Sequence, residues 1–567
     1  MRPVFKEYLQ GQGTLFPERF DDYIPKDHPV RLVSAIVDRL DITPILKTYK
    51  GGGTSSYHPR MLLKVLFYAY LTNIFSSRKI EKALRENIYF MWLSGKQFPD
   101  FRTINNFRSK RLKGHIQKLF SSIVLMMAEA GAVDIKKEIY TDGTKIEANA
   151  NRYSFVWRKR VEKSKDKLER QLKEILKEIE SEIKRDNAYE NKDKVEDDKI
   201  DRDSLLKKVE ALNKELRKSE NLSKKSKQKI ENKLKKIKTE SLPRLSRYEQ
   251  QLEVMGSDRN SYSKTDTDAT FMRMKEDHMK NGQLKPAYNI QISTQQQFLL
   301  HYSIHQNRTD TNTYKKHLKG YKSSYNTYPG TAVADASYGS EENYAFLESN
   351  SIESYVKYNW FDKEQKSKFK KDLSRVENLY YNEEEDYFVC PMGQKMYRKR
   401  TYIEKTPSGY RQEKRVYAAQ NCKGCPVRGL CHKSIRNREL QVSIKLRKYK
   451  EKVKAYLLSE SGIKYRKQRS VDVETVFGQI KQNKGFRRFL LRGLEKVNIE
   501  FGLVAIAHNL QKFWLWLLKM GYKIDKIALL SVKFLFFAIF TTKFCKKLKE
   551  SLIQNFFFFK TRIAANY

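Results

Sequence analysis

Acidic residues are in short supply in this chain of 567 residues: 67 Asp plus Glu stand against 113 Lys plus Arg, a formal net charge of +46. Self-repulsion of that size opposes a compact state unless a polyanion is the normal partner, so nucleic acid is the first partner to consider. Long apolar runs are scarce as well. The opening MRPVFKEYLQ lacks the apolar core of a secretion leader, and the single long apolar run, Ile527–Thr541, is broken by Lys533 and is short for a bilayer span. These absences predict a cytoplasmic protein without a membrane segment, the run being a C-terminal core helix. Cysteine is rare, at five residues, and disulfides are not expected in that compartment. No nucleophile-and-base signature suggests covalent catalysis. What is present is 40% hydrophobic residues in a chain longer than one core usually organises, so several folded domains are expected.

From Pro59 to about Leu119 the pattern is helical, with start signals at Ser77 and at Pro99, Asp100 and Thr103. The last of these helices carries Asn105, Arg108, Lys110 and Arg111 within three turns, residue types suited to base edges and phosphates, as on a recognition helix. A solvated basic face is the competing reading. Between Val161 and Leu252 the chain turns Lys/Glu-rich: Leu168, Leu172, Ile175 and Ile179 step as a coiled-coil seam does, and Leu205, Val209, Leu212 and Leu216 repeat it beyond the charged break YENKDKVEDDKID. A helical hairpin fits both runs. From Lys285 strands take over: KPAYNIQIST and QFLLHYSIH read as an antiparallel hairpin, followed by a helix after Thr311, a short buried strand ending at Asp335, a helix, and the strand ESYVKY.

Asp142 in IYTDGT and Asp335 in AVADAS each follow apolar strand residues and precede small ones. Strand ends of this kind collect functional residues, although a turn Asp that bonds its own backbone has the same local sequence. A third acid, Glu474, lies in RSVDVETVFGQIKQNKGFRRFLLRG, which reads as a helix with Val473, Val476, Phe477 and Ile480 on its apolar face. On a regular α-helical wheel, Glu474 and Lys481 fall within roughly 20° of each other and Asp472 falls on the opposite flank. Lys484, Arg487 and Arg488 follow, cations suited to a DNA strand beside a carboxylate that holds a metal.

The segments YTDGTKIEANANRYSFVW, DATFMRMK, KPAYNIQI, VADASYGS and VETVFGQIKQNKGFRRFLLRGLEKV, with YHPRMLLKVLFYAYL near the start, resemble in order the DDE transposases of bacterial insertion sequences, in the broad group of the IS-four and IS-five types and the eleven-eighty-two type. The resemblance implies an RNase H-like α/β fold: a mixed sheet flanked by helices, interrupted by a helical and a Cys-rich insertion, behind an all-α N-terminal domain. It implies Asp142, Asp335 and Glu474 as catalytic ligands of Mg²⁺ or Mn²⁺, with Lys481 in a DNA-contacting role. Many members of the group also carry a Tyr and an Arg at fixed spacings before the Glu. Position 470, where that Arg is expected, is Ser here, so Tyr465 and Arg469 are the candidates after a register change. The expected divisions are 1–130 for DNA binding, 131–160 with 256–358 for the catalytic core, 161–255 for the charged insertion, 359–442 for the Cys-rich insertion, 443–520 for the helices carrying the third acid, and 521–567 for a tail.

Two Mg²⁺ ions held by carboxylates suit in-line displacement at phosphorus, which serves both strand cleavage and attack by a freed 3′-hydroxyl. The expected partners are double-stranded DNA, as terminal inverted repeats and as target, and a second copy of the chain pairing two ends. A DNA-binding protein without catalysis is the alternative. Asn149, Asn151 and Arg152 are secondary phosphate candidates, Asp310 reads as a helix N-terminal residue, and His508 as a satisfied helix histidine. Cys390, Cys422, Cys425 and Cys431 have a spacing that suits a structural Zn²⁺, with His432 able to replace Cys431, while Cys545 has no partner in sequence.

Overall fold

The computed structural model describes residues 19–49, 55–186, 201–218, 223–274 and 282–522. The run Ile527–Thr541, Cys545, most of the 521–567 tail and nearly all of the charged break before Asp201 lie outside the described residues. The chain divides into two compact units, Met1–Asp134 with Phe298–Leu300 and Phe501–Tyr567, and Ile135–Gln297 with His301–Glu500. Among the described residues no helix is long and apolar enough to cross a membrane.

The first unit is helical: α1 (Pro29–Arg39), α2 (Pro59–Leu71), α3 (Ser77–Glu86), α4 (Ile88–Ser94), α5 (Phe101–Asn106), which continues as a π turn over Phe107–Arg111, and α6 (Ile116–Glu129). Proline opens α1 and α2 behind histidines whose ring nitrogens accept the backbone N–H groups of Val30 and Arg60. Asp100 caps α5 by accepting from Thr103 N at 2.7 Å. Gly95 closes α4 at φ 59°, a conformation that costs glycine little. Val33, Leu63, Phe67, Ile80, Leu84 and Ile123 are among the apolar side chains buried in these helices.

The second unit is mixed α/β. In chain order it contains β1 (Glu138–Glu147), the helices α7 (Arg158–Asp186), α8 (Arg202–Lys218), α9 (Lys224–Lys236) and α10 (Leu242–Met255), then β2 (Thr270–Arg273), β3 (Leu284–Gln295), β4 (Phe298–His305, of which Phe298–Leu300 are counted with the first unit), α11 (Tyr314–Tyr325), β5 (Thr331–Ala334), α12 (Glu341–Ser349) and β6 (Glu353–Val356). The main sheet runs β2-β3-β1-β5-β6, and β4 pairs with β3. β1 is antiparallel to β3 and parallel to β5, which is parallel to β6. The two residues between β3 and β4, Gln296 and Gln297, both have positive φ (50° and 64°), as a tight hairpin requires. Asp472, nearly fully buried, holds that turn by accepting from Gln296 N at 3.0 Å.

Helices α7 to α10 share an apolar core of their own. Leu168, Leu172, Leu176, Ile179 and Ile183 pack with Leu205, Val209, Leu212 and Leu216, and a further arm adds Ile230, Leu234, Ile237 and Leu245. That arm is additional to the two runs read from the sequence. Beyond β6 lies a second, antiparallel sheet, in the order Glu439–Val442 (β11), Arg411–Ala419 (β10), Lys395–Lys405 (β9), Tyr387–Val389 (β8) and Tyr381–Asn382 (β7). Phe388, Met396, Tyr417, Leu440 and Cys422 pack together in its core. Helices α13 (Ile444–Leu458) and α14 (Glu460–Arg469) follow, then the broken helix that carries Glu474, and finally α15 (Leu494–Lys519).

Candidate active site

Strand register brings the two aspartates together. In the parallel β1/β5 ladder Thr141 is paired with Ala334, the last pair, so Asp142 and Asp335 are the residues that follow it on the two neighbouring strands. Asp142 is 6% exposed, and its Oδ1 accepts from Gly143 N at 2.7 Å. Asp335 follows β5 directly and caps a single 3₁₀ turn, accepting from Ser337 N at 2.9 Å and from Ser337 Oγ at 2.5 Å. Asp335 therefore makes the self-capping turn that local sequence allowed, and it stands beside Asp142 as well.

Asp310 precedes α11 as a helix-start residue would, and its carboxylate lies against Gly143, on the face of β1 opposite to the Asp142 side chain. Its Oδ1 accepts from Asn289 Nδ2 at 2.8 Å and from Gln291 Nε2 at 2.9 Å, both on β3. A Cβ at Gly143 would meet Asp310 Oδ1 at 2.8 Å and collide with Gln291, so the close approach requires glycine after Asp142. Tyr338 donates its hydroxyl to Gln291 Oε1. Burial raises that phenol far above its ordinary range, and the charges of Asp310, Asp142 and Asp335 raise it further. Three carboxylates thus surround one buried phenol. The signal for Asp310 lay in AYNIQIS, where two amides sit on one face of an otherwise apolar buried strand.

The Glu474 helix is not a regular α-helix. After α14 the chain makes a π turn over Ser470–Glu474, a short α segment over Thr475–Gly478 and a second π turn over Gln479–Asn483. Each π turn hydrogen-bonds five residues apart instead of four, so the wheel that stacked Glu474 over Lys481 does not apply. Glu474 is exposed, whereas Lys481 is buried and donates its Nζ to Lys145 O on β1 at 3.1 Å. The first π turn also takes up the residue by which the arginine spacing departs. Arg469, five before Glu474, stands to it as a residue four before would in an α-helix. Its Nη1 lies 3.5 Å from Asp142 Oδ2, and Tyr465, one turn earlier, packs edge-on against Tyr140 and Tyr355.

Several cations expected to meet DNA are engaged inside the protein. Arg108 is buried and donates to Tyr70 Oη, Phe75 O, Ser77 Oγ and Asn105 Oδ1, which removes it and the Asn105 carbonyl from a base-reading role. Arg111 donates to Thr48 O and lies over the Tyr49 ring, while Lys110 is exposed. Arg488 donates to Ala148 O and Ala150 O, and Asn149 to Leu490 O, so the stretch after β1 and the stretch after the second π turn are clasped together. Arg487 donates to Lys481 O, Arg152 pairs with Glu147, and Asn151 Oδ1 accepts from Tyr153 N. Lys484 is buried, which lowers its ammonium to about 8. His508 is buried within α15.

Among the described residues no three His, Cys, Asp or Glu side chains are gathered closely enough to hold a metal ion. Asp142 and Asp335 offer the hard oxygens that Mg²⁺ takes, but Glu474 is not drawn in beside them. For zinc the described residues give no support, and three of the four cysteines have contacts of their own. Cys390 Sγ accepts from Met392 N and Gln394 N, Cys422 Sγ from Arg438 N, and Cys431 Sγ from the Arg438 guanidinium at 2.8 Å. The Arg438 guanidinium thus lies beside Cys431, and Cys422 belongs to an apolar core. The ring nitrogens of His432 are buried without a hydrogen-bond partner.

A mixed α/β sheet that sets Asp142, which lies inside β1 and not at the strand end expected from the sequence, next to the end of β5 that Asp335 follows, in a chain of net charge +46, has the makings of a carboxylate site for a polyanionic substrate. Residues 389–514 match the family described as "Transposase DDE domain", and residues 18–110 match "Transposase domain (DUF772)". The two matches support a DDE-type insertion-sequence transposase, the class its motifs resemble. Glu474 and the four clustered cysteines lie within the first match, and Asp142 and Asp335 lie between the two. No curated protein and no solved structure matches the chain.

Proposed function

We propose that this chain is a metal-dependent transposase that cleaves DNA at the ends of an insertion sequence and joins the freed 3′-hydroxyl to target DNA. Asp142, Asp335 and Glu474 are its catalytic carboxylates, and the sheet carrying them is RNase H-like. The observation that carries the reading is the register that sets Asp142 beside Asp335. Two antiparallel strands, β3 and β4, on one side of β1 and two parallel strands, β5 and β6, on the other are the order such a sheet would have. We read the N-terminal helices as the part that binds terminal repeats, and the working species as a homodimer pairing two ends.

A divalent metal ion, when bound, supplies Lewis-acid activation of the attacking oxygen and charge stabilisation of the leaving one. The rest of the chemistry belongs to the chain. Asp142 and Asp335 would provide oxygens to hold the ion, and Glu474, exposed on the broken helix, would supply a third. β3 pairs with β1 on both sides of Asp142, and Gln291 and Asp310, which Asn289 and Tyr338 hold, pack against Gly143, so β3 pre-positions the first carboxylate. The excess of Lys and Arg draws the phosphodiester backbone, which makes binding strongly salt-dependent. The test is cleavage of duplex terminal-repeat DNA with Mg²⁺, comparing wild type with Asp142→Asn, Asp335→Asn and Glu474→Gln at matched DNA binding. Loss of cleavage in each variant is expected. Cleavage retained by all three would sink the assignment.

A further inference from the structure

Arg469 ends α14 immediately before the first π turn, and its contact with Asp142 is of an unusual kind. Nη1 lies 3.5 Å from Asp142 Oδ2, with the two side chains 17% and 9% exposed. The same Nη1 is buried and makes no hydrogen bond. An arginine that serves as a structural anchor for a carboxylate closes to about 2.7–2.9 Å and commonly forks two parallel hydrogen bonds. Here the guanidinium balances the charge without being fastened. Desolvated carboxylates need a counter-charge, because an unpaired buried charge is strongly destabilising. A divalent cation beside the same carboxylate would repel the guanidinium at short range and in a low dielectric. The π turn that starts at Ser470 adds a second observation, since such turns collect at functional sites.

We propose that Arg469 is the resident counter-ion of Asp142 in the metal-free protein and that a divalent cation binding at Asp142 displaces it. The proposal rests on the reading of Asp142 as a metal-holding carboxylate. Arg469 is then a positioning residue: it keeps Asp142 charge-balanced and oriented until the metal arrives, and it sets the threshold for metal binding.

The experiment is calorimetric titration of the full chain with Mn²⁺, without DNA, together with thermal unfolding in EDTA. Wild type is compared with Arg469→Ala, Arg469→Gln, Arg469→Lys and Asp142→Asn. Removing the competing charge in Arg469→Ala or Arg469→Gln is expected to tighten Mn²⁺ binding about tenfold or more while lowering the unfolding temperature in EDTA. Arg469→Lys keeps the charge and stays near wild type in both measurements. Mn²⁺ binding that is unchanged or weaker in both neutral variants would overturn the proposal, and Arg469→Gln decides the matter if Arg469→Ala does not fold. An Asp142→Asn protein that binds Mn²⁺ like wild type would overturn it by another route, by removing the metal role of Asp142 itself.

Discussion

The two halves of the candidate site are held by different kinds of structure. Asp142 sits in a strand with hydrogen-bonded neighbours on both sides, and Asp335 takes its place from the same parallel ladder. Glu474 hangs from a helix whose hydrogen-bond register changes twice within fourteen residues, at Ser470–Glu474 and at Gln479–Asn483. A ladder shared with two strands allows one register, because a slip of one residue would turn every buried side chain to the other face. A π turn carries no such penalty, so the helix can present Glu474, Arg469 and Asp472 in a combination that a regular helix would not. Asp472 turns inward to hold the β3–β4 hairpin, Arg469 reaches Asp142, and Glu474 remains exposed.

The comparison can be tested from its strongest consequence to its weakest. On the ladder side, Asp142→Asn or Asp335→Asn should reduce strand cleavage by at least about a hundredfold, the scale of losing one contact made in the transition state, as measured by single-turnover cleavage of terminal DNA. On the helix side, Lys484 titrates about 2.5 units lower in the folded chain, from 10.5 to about 8, because burial disfavours its charge. The unfolded chain then holds more protons between pH 8 and 10.5, so stability rises with pH across that window, by at most about 3 kcal/mol. In Lys484→Met, urea unfolding at several pH values should show that rise flattened. Back on the ladder, Gly143→Ala forces a Cβ against Asp310 and Gln291 and should cost about 2 kcal/mol in urea unfolding, the usual scale of overpacking. A neutral effect there would mean that β3 does not position Asp142.

How much of this was legible in the sequence depended on what held each residue. Asp335 was legible because an apolar strand followed by Asp and a small residue marks a strand end, whereas β1 runs on past Asp142 through Gly143 to Glu147. The β3–β4 hairpin was legible from the polar break TQQQ, and the first two helical runs of the 158–255 bundle from their apolar spacing. The third arm was hidden because Ile230, Leu234 and Ile237 are isolated among lysines and become a seam only when packed on the other helices. Arg108 looked like a DNA contact because composition says nothing about which way a side chain points. The π turns were illegible for a similar reason, since a change of hydrogen-bond register leaves the apolar spacing of Val473, Val476 and Ile480 intact. The cysteines had a metal-like spacing, but spacing does not show whether a guanidinium and backbone amides already occupy the thiols.

The central claim is that Asp142 and Asp335 hold a divalent cation at the end of the β1/β5 ladder, with Glu474 completing the site. The most direct measurement is anomalous diffraction from crystals of the full chain, with terminal-repeat DNA, soaked in Mn²⁺. The account predicts an anomalous peak within coordination distance of carboxylate oxygens of Asp142 and Asp335, and Glu474 turned toward it. A well-ordered site in which both aspartates are seen and no Mn²⁺ lies between them, or Mn²⁺ bound elsewhere in the chain, would contradict it.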